Sequence, residues 1–179
     1  AAPSKDALDP VPERAALERY LNALQSDDEE IRATAVAALR SFGKPAVAFL
    51  ILALADPHPG VRIAAAEGLG ELGDEDGVDP LVRLTGDPER DVRIAAAGAL
   101  GGIGDLRAVG PLIRLFSDGY PLVRAAAAAA VAAFGRDALE PLAAALSDPL
   151  PTVRLTAARA LGTVGDPRAI PLLIGHLDD

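Results

Sequence analysis

Cysteine, methionine and tryptophan are all missing from this 179-residue chain, and its only aromatics are four phenylalanines and two tyrosines. Without cysteine there is no disulfide framework, no thiolate metal site, no cysteine nucleophile and no redox thiol. Positive charge is also short. Lys and Arg number 17 against 26 Asp and Glu, a net charge of −9, so phosphate backbones and anionic membrane surfaces should repel the chain. The two apolar runs that stand out, Ala46 to Ala55 and Ala125 to Phe134, are each 10 residues long, where a membrane span needs about 20. Membrane insertion is therefore not expected. The chain opens on Ala1-Ala2-Pro3-Ser4 and not on Met, which fits a removed signal peptide as well as a trimmed chain. Cytoplasmic and exported locations both stay open. What the chain does have is Ala, Leu and Val, the residues of helices packed closely on one another.

Compared with itself, the chain repeats. A β-branched residue followed by Arg recurs at Ile31-Arg32, Val61-Arg62, Val92-Arg93, Val123-Arg124 and Val153-Arg154, with spacings of 30, 31, 31 and 30. A glycine after an apolar residue follows 12 positions later each time, at Gly43, Gly73, Gly104, Gly135 and Gly165. The missing residue of the shorter units lies beyond that glycine, in a turn, where a deletion is tolerated.

Counting from the β-branched residue as position 0, apolar or small residues occupy positions 0, 4, 7, 8 and 11, as in Val153, Ala157, Ala160, Leu161 and Val164. That is one face of a helix, called A here. Pro59, Pro121 and Pro151 suit its first turn, and the closing glycine suits a left-handed cap. Asp74, Asp105 and Asp166 are natural N-caps for a second helix, B, whose buried side carries Leu81, Leu112, Leu142 and Leu173. One such pair cannot bury its own apolar face, so the pairs must stack. The expected fold is all-α: an α-solenoid, a right-handed superhelix of five helix pairs over residues 27–179. A capping helix over 10–26 precedes it, and 1–9 form a mobile lead-in.

The pattern V-R-x-x-A-A-x-A-L-G, closed by G-D, reads from Val92 to Asp105, from Val153 to Asp166 and, with Gly68 for the third Ala, from Val61 to Asp74. It resembles the short HEAT-like repeat of phycobilin lyase subunits and of designed HEAT-like binders. The stretch from Asp9-Pro10 to Tyr20-Leu21-Asn22-Ala23-Leu24-Gln25 is similar to the capping helix of such arrays. The resemblance implies a superhelix with the A helices on its concave side, and a role that differs from one array to the next. Lys44 and Arg136 replace the Asp in repeats one and four, an unevenness that argues against a consensus design.

Several motifs have ordinary explanations. The five rung arginines and the leading Asp56, Asp87, Asp118 and Asp148 are expected to form a ladder of contacts between repeats. Gly68-Leu69-Gly70-Glu71-Leu72-Gly73 has the spacing of a dinucleotide loop but no strand before it. Asp74-Glu75-Asp76-Gly77-Val78-Asp79 is a helix start and not a calcium loop, because the equivalent Asp105-Leu106-Arg107-Ala108-Val109-Gly110 lacks the acids. His58 and His176 have no neighbouring Glu in sequence, unlike the His-Glu pairs of iron-binding HEAT-type hydroxylases, and nothing in the sequence sets either against a serine. No metal, cofactor or catalytic residue is expected. The basic groove of HEAT-like DNA glycosylases has no counterpart, so nucleic acid is not an expected partner.

Opposite the buried stripe of helix A lie positions 2, 3 and 6: Ala33, Thr34, Ala37; Ile63, Ala64, Glu67; Ile94, Ala95, Gly98; Ala125, Ala126, Ala129; Leu155, Thr156, Arg159. Only Glu67 and Arg159 among them are charged. Such a smooth wall, with Ile63, Ile94 and Leu155 expected to protrude, asks for a cover. The expected partner-binding residues are Thr34, Ile63, Ala64, Glu67, Ile94, Ala95, Ala126, Leu155, Thr156 and Arg159. The expected function is a non-enzymatic scaffold that takes a protein segment or a neighbouring domain on this face. The alternatives are a subunit of a bilin lyase or isomerase and an architectural spacer. The last repeat carries no cap after its B helix, which leaves self-association open.

Overall fold

The computed structural model describes residues 11–176, so the expected lead-in over 1–9 lies outside the described residues. Among those residues there are helices and turns and no strand. α1 (Val11–Ala23) stands first and alone. The A helices are α2 (Glu29–Leu39), α4 (Pro59–Leu72), α6 (Arg90–Ile103), α8 (Pro121–Ala132) and α10 (Pro151–Val164). The shorter B helices are α3 (Val47–Ala53), α5 (Val78–Leu84), α7 (Val109–Arg114), α9 (Leu139–Ala145) and α11 (Ala169–Ile174).

The local chemistry follows the repeat. Pro59, Pro121 and Pro151 open their helices, where no amide donor is needed. Gly73, Gly104 and Gly165 close theirs in the left-handed region, with φ of 66°, 73° and 67°. The expected caps of helix B act one step earlier than expected. Asp74 and Asp105 accept the backbone N–H of Asp76 and Arg107, and each caps a single 3₁₀ turn that leads into α5 and α7. Both carboxyls are held below the ordinary aspartate range, Asp74 by that backbone N–H and by Lys44, and Asp105 by the Arg107 guanidinium and N–H. The Arg168 guanidinium and N–H lower Asp166 in the same way.

Val61, Val92, Val123, Leu69, Leu100 and Leu161 are buried in one continuous interior, joined from helix B by Leu81, Leu112 and Leu142. Leu173, their counterpart in the last pair, is half-buried among the described residues. Neighbouring A helices lie against each other along their length, whereas consecutive B helices touch sparsely. A stack that is tight on one side and splayed on the other curves toward the tight side. The A helices therefore line the concave face.

What permits the tight side is a glycine. A Cβ on Gly70 would come within 2.7 Å of the Ala99 Cα, and one on Gly101 within 3.0 Å of the Ala130 Cα. Position 9 of one A helix thus meets position 7 of the next, backbone to backbone.

The arginine ladder joins the repeats at their leading turns. Arg62 donates through Nε and Nη2 to the two Asp87 oxygens, both at 2.9 Å, and through Nη1 to the Asp56 carbonyl at 2.8 Å. Arg93 does the same to Asp118 at 2.8 and 3.2 Å and to the Asp87 carbonyl at 2.7 Å. Arg32 reaches Asp56 at 2.7 Å. Each of these carboxylates also accepts an N–H of its own turn, from His58, Glu89 and Tyr120. Burial opposes the charge on Asp118, but Arg93 and the Tyr120 N–H outweigh it and keep the carboxyl below its ordinary range. Among the described residues the ladder goes no further: there Arg124 and Arg154 show only the carbonyl arm, to Asp118 and Asp148, at 2.7 and 3.0 Å.

The Arg62–Asp87 pair is almost fully enclosed, with side chains 11% and 8% exposed. Breaking it leaves a desolvated charge, so Arg62→Ala should cost about 2–4 kcal/mol in urea unfolding. Asp87→Asn, which keeps an acceptor for the Glu89 N–H, should couple to it by about 1–3 kcal/mol in a double-mutant cycle.

A second expectation concerns acid. Asp74, Asp105, Asp118 and Asp166 all have depressed pKa values, so their stabilisation is complete above the unfolded aspartate value of about 3.9 and is lost as pH falls below it. The urea midpoint should change little from pH 7 to about 5 and drop below roughly pH 4.

Candidate interaction surface

A helix 3.6 residues per turn, flanked on both sides by its like, has two edges facing neighbours and one strip between them facing out. Position 9 looks toward the next repeat and position 7 toward the previous one. Position 2, two turns from 9, therefore shares the forward edge, and position 3 leans toward the backward edge. The open strip is left to positions −1, 6 and 10.

Exposure follows this geometry. Ala37, Glu67, Gly98, Ala129 and Arg159 at position 6 are all exposed. So are Glu30, Gly60, Asp91, Leu122 and Thr152 at position −1, and Ser41, Glu71, Gly102, Ala133 and Thr163 at position 10. The last two sets are functional candidates that the face chosen from sequence omitted. A helical wheel shows them as soon as the neighbours' directions are known.

The expected protruding row is corrected here. Ile63 and Ile94 are half-buried and packed on the core along the forward edge. Leu155 stands 53% exposed, its forward edge uncovered among the described residues, and it lines a cavity of about 330 Å³ with Leu146, Leu173 and His176. Ala64, Ala95 and Ala126 are half-buried at position 3, and Thr34 is exposed. Thr156 is buried, and its hydroxyl donates to the Thr152 carbonyl at 2.6 Å. The strip is thus narrower than expected and shifted toward positions −1, 6 and 10.

Its character changes along the stack. Over the first three repeats Glu30, Glu67, Glu71 and Asp91 point outward, and Arg40 is ion-paired to Glu71 with Glu67 at 3.9 Å. From the later part of α6 the strip is Gly98 and Gly102, then Leu122 and Ala129 on α8 with Ala133 at its end, and then Thr152, Arg159 and Thr163 on α10. Gly98 is the odd member. It sits inside α6, where glycine costs about 0.5–1 kcal/mol relative to alanine, yet a Cβ there would meet nothing within 4 Å. No contact among the described residues requires it.

Both histidines have partners that linear spacing hid. His58 caps α4, accepting the Gly60 N–H through Nδ1, and its Nε2 lies 2.8 Å from Glu29. His176 lies with Nε2 3.1 Å from the Ser147 hydroxyl and Nδ1 2.8 Å from the Leu172 carbonyl, a serine contact that the sequence did not suggest. With a carbonyl and not a carboxylate behind the imidazole, this pair ties the ends of α9 and α11 together. The Gly68–Gly73 stretch lies at the end of α4 and forms no loop. Among the described residues no three His, Asp or Glu gather as a metal site, and no helix is long and apolar enough to cross a membrane.

With this geometry in hand, the comparisons with known proteins are direct. The family description "HEAT repeats" matches residues 47–132 and 111–179. Among solved structures, a complex of CpcE and CpcF of phycocyanin lyase from Nostoc contains a chain 28% identical to this one, with a TM-score of 0.65 over 98% of this chain and 74% of that one. A designed armadillo-repeat protein in complex with the peptide (KR)4 is similar at 20% identity and a TM-score of 0.56, covering 89% of this chain and 87% of that one. Human deoxyhypusine hydroxylase is similar at 21% identity and a TM-score of 0.56, covering 93% and 91%. The last two likenesses concern the fold alone. No curated protein matches the chain by sequence.

The two kinds of glycine should separate on substitution. Gly70→Ala should destabilise by about 1–3 kcal/mol through overpacking, although alanine is the better helix former. Gly98→Ala should stabilise by about 0.5–1 kcal/mol. Urea midpoints at constant m-value check both.

Proposed function

Because this chain belongs to the HEAT-repeat family, we propose that it is a protein-binding scaffold whose concave A-helix strip receives a segment or domain of a partner. The observation that carries this reading is Gly98 in its setting: an exposed, mid-helix glycine that no internal contact needs, among Gly102, Ala129 and Ala133. A surface kept this low, at a cost in helix stability, suits the close approach of another backbone. Glu67, Arg159 and the position −1 and 10 residues lie in the strip and Thr34 borders it, while Ile63, Ala64, Ile94, Ala95, Ala126 and Thr156 form its seams. The acids of the first three repeats favour a basic stretch on the partner.

A second reading, a subunit of a bilin lyase, is favoured by the likeness to the phycocyanin lyase complex. It requires a change in the visible absorption of a free bilin on mixing with the chain, and an unchanged band would remove it.

For the scaffold, a photo-crosslinking residue placed at Gly98 or Ala129 should yield partner adducts in lysate of the source organism, and the same residue at exposed Asp79 or Glu140 on the B helices should not. Gly98→Trp, which fills the strip without touching the core, should abolish the Ala129 adduct while the melting temperature holds. Adducts of equal yield from both sides of the stack, or adducts that survive Gly98→Trp, would discard the strip as the binding surface.

A further inference from the structure

Arg124 breaks the pattern of the ladder. Arg32, Arg62 and Arg93 each present Nε to the next repeat's carboxylate at 2.7–2.9 Å. Arg124 is held by the same backbone arm, Nη1 to the Asp118 carbonyl at 2.7 Å, yet no carboxylate lies within 4 Å of it among the described residues. Asp148 accepts the Leu150 N–H through Oδ1 at 2.8 Å, as the other three carboxylates do in their turns, but its carboxylate receives no guanidinium among the described residues.

The adjoining seam is open. Where α6 lies along α4, α10 stands less closely on α8, and between the two is a cleft of about 260 Å³. One wall carries Arg124 with Ala125 and Ala129, and the other carries Arg159 with Thr156 and Thr163. Arg159 is exposed and also makes no ion pair among the described residues. The threonine hydroxyls donate to the Thr152 and Arg159 carbonyls, so the two guanidinium groups are the cleft's available donors.

We propose that this cleft binds a carboxylate, the Asp or Glu side chain of a partner segment lying in the concave strip. The proposal rests on the scaffold reading and adds the partner's chemistry at one place. The chain itself provides the template, since an arginine fixed by the same Nη1 contact grips a carboxylate in the three preceding repeats. A planar, singly charged carboxylate matches that fork. A doubly charged phosphate is disfavoured by a net charge of −9. Acidic residues over the early repeats and free arginines over the late ones also give the strip a direction, so a partner with a basic stretch and a later acid is held one way round.

The test uses the intact protein, arginine side-chain Nε–Hε resonances, and two probes, glutarate and inorganic phosphate. Glutarate should shift the Arg124 and Arg159 signals saturably and leave those of Arg62 and Arg93 in place. Arg159→Ala, a surface change, should weaken glutarate about tenfold, as should Arg124→Lys, which keeps the charge and loses the fork. A phosphate affinity above that of glutarate would overturn the carboxylate assignment. An Arg124 signal that moves on Asp148→Asn without any probe would show the ladder closed in solution and would overturn the site. Neither result touches the Gly98 crosslink, so failure of the cleft and failure of the scaffold reading remain distinguishable.

Discussion

Neighbouring A helices in this protein approach until the backbone of one meets the backbone of the next, and the rest of the architecture depends on that distance. It requires glycine at 70 and 101 opposite alanine at 99 and 130. Any side chain there would push the helices apart, open the stack on its inner side and flatten the curve. The same crowding suits the alanine-rich composition, because helices this close leave no room for long side chains where the backbones meet. The larger apolar residues move to the interior between layers, where Leu69, Leu100, Leu81 and Leu112 fill the space between A and B.

Tight packing alone does not choose a register. Alanine against glycine is a contact that slides, and the arginine ladder fixes it. Each complete rung ties a guanidinium to its own turn through a carbonyl and to the next turn through a carboxylate, which in turn organises that turn's amide. Few other pairs between repeats are enclosed; Lys44–Asp74 and Arg136–Asp166 pair a solvated cation with a capped acid. The division follows the energetics. An exposed pair contributes little, and an enclosed one matters most as a penalty on every alternative that leaves its charges unmatched.

Much of this was legible in the residues. Helix number, the left-handed glycines, the proline starts and three rungs of the ladder follow from periodicity, because each depends on a residue's place within its own repeat. The failures all concern a residue's neighbour. Ile63 and Ile94 occupy the outward half of an isolated helix, yet the next repeat covers them. Leu155 has the same position and stays open, so identical spacing leads to different surroundings. The contact of His176 with Ser147 and that of His58 with Glu29 join residues 29 positions apart, nearly one repeat, a separation that no local motif records. A wheel shows which residues share a side. How close the adjoining helix stands must come from the packing.

That distance also varies along the stack. The α4–α6 and α6–α8 seams are closed by glycine on alanine, while Ala132 holds position 9 in α8. A methyl at that position is compatible with a wider seam and not with the closest one, and α10 stands off accordingly. The open cleft and the guanidinium without a carboxylate both lie at this seam. Position 9 does not decide the rung by itself, since Arg40 holds it at the end of α2 and Arg32 still reaches Asp56. In an array built of near-identical units, the unit that relaxes the shared constraint is where chemistry unlike the others can be placed, and here it is placed on the concave side.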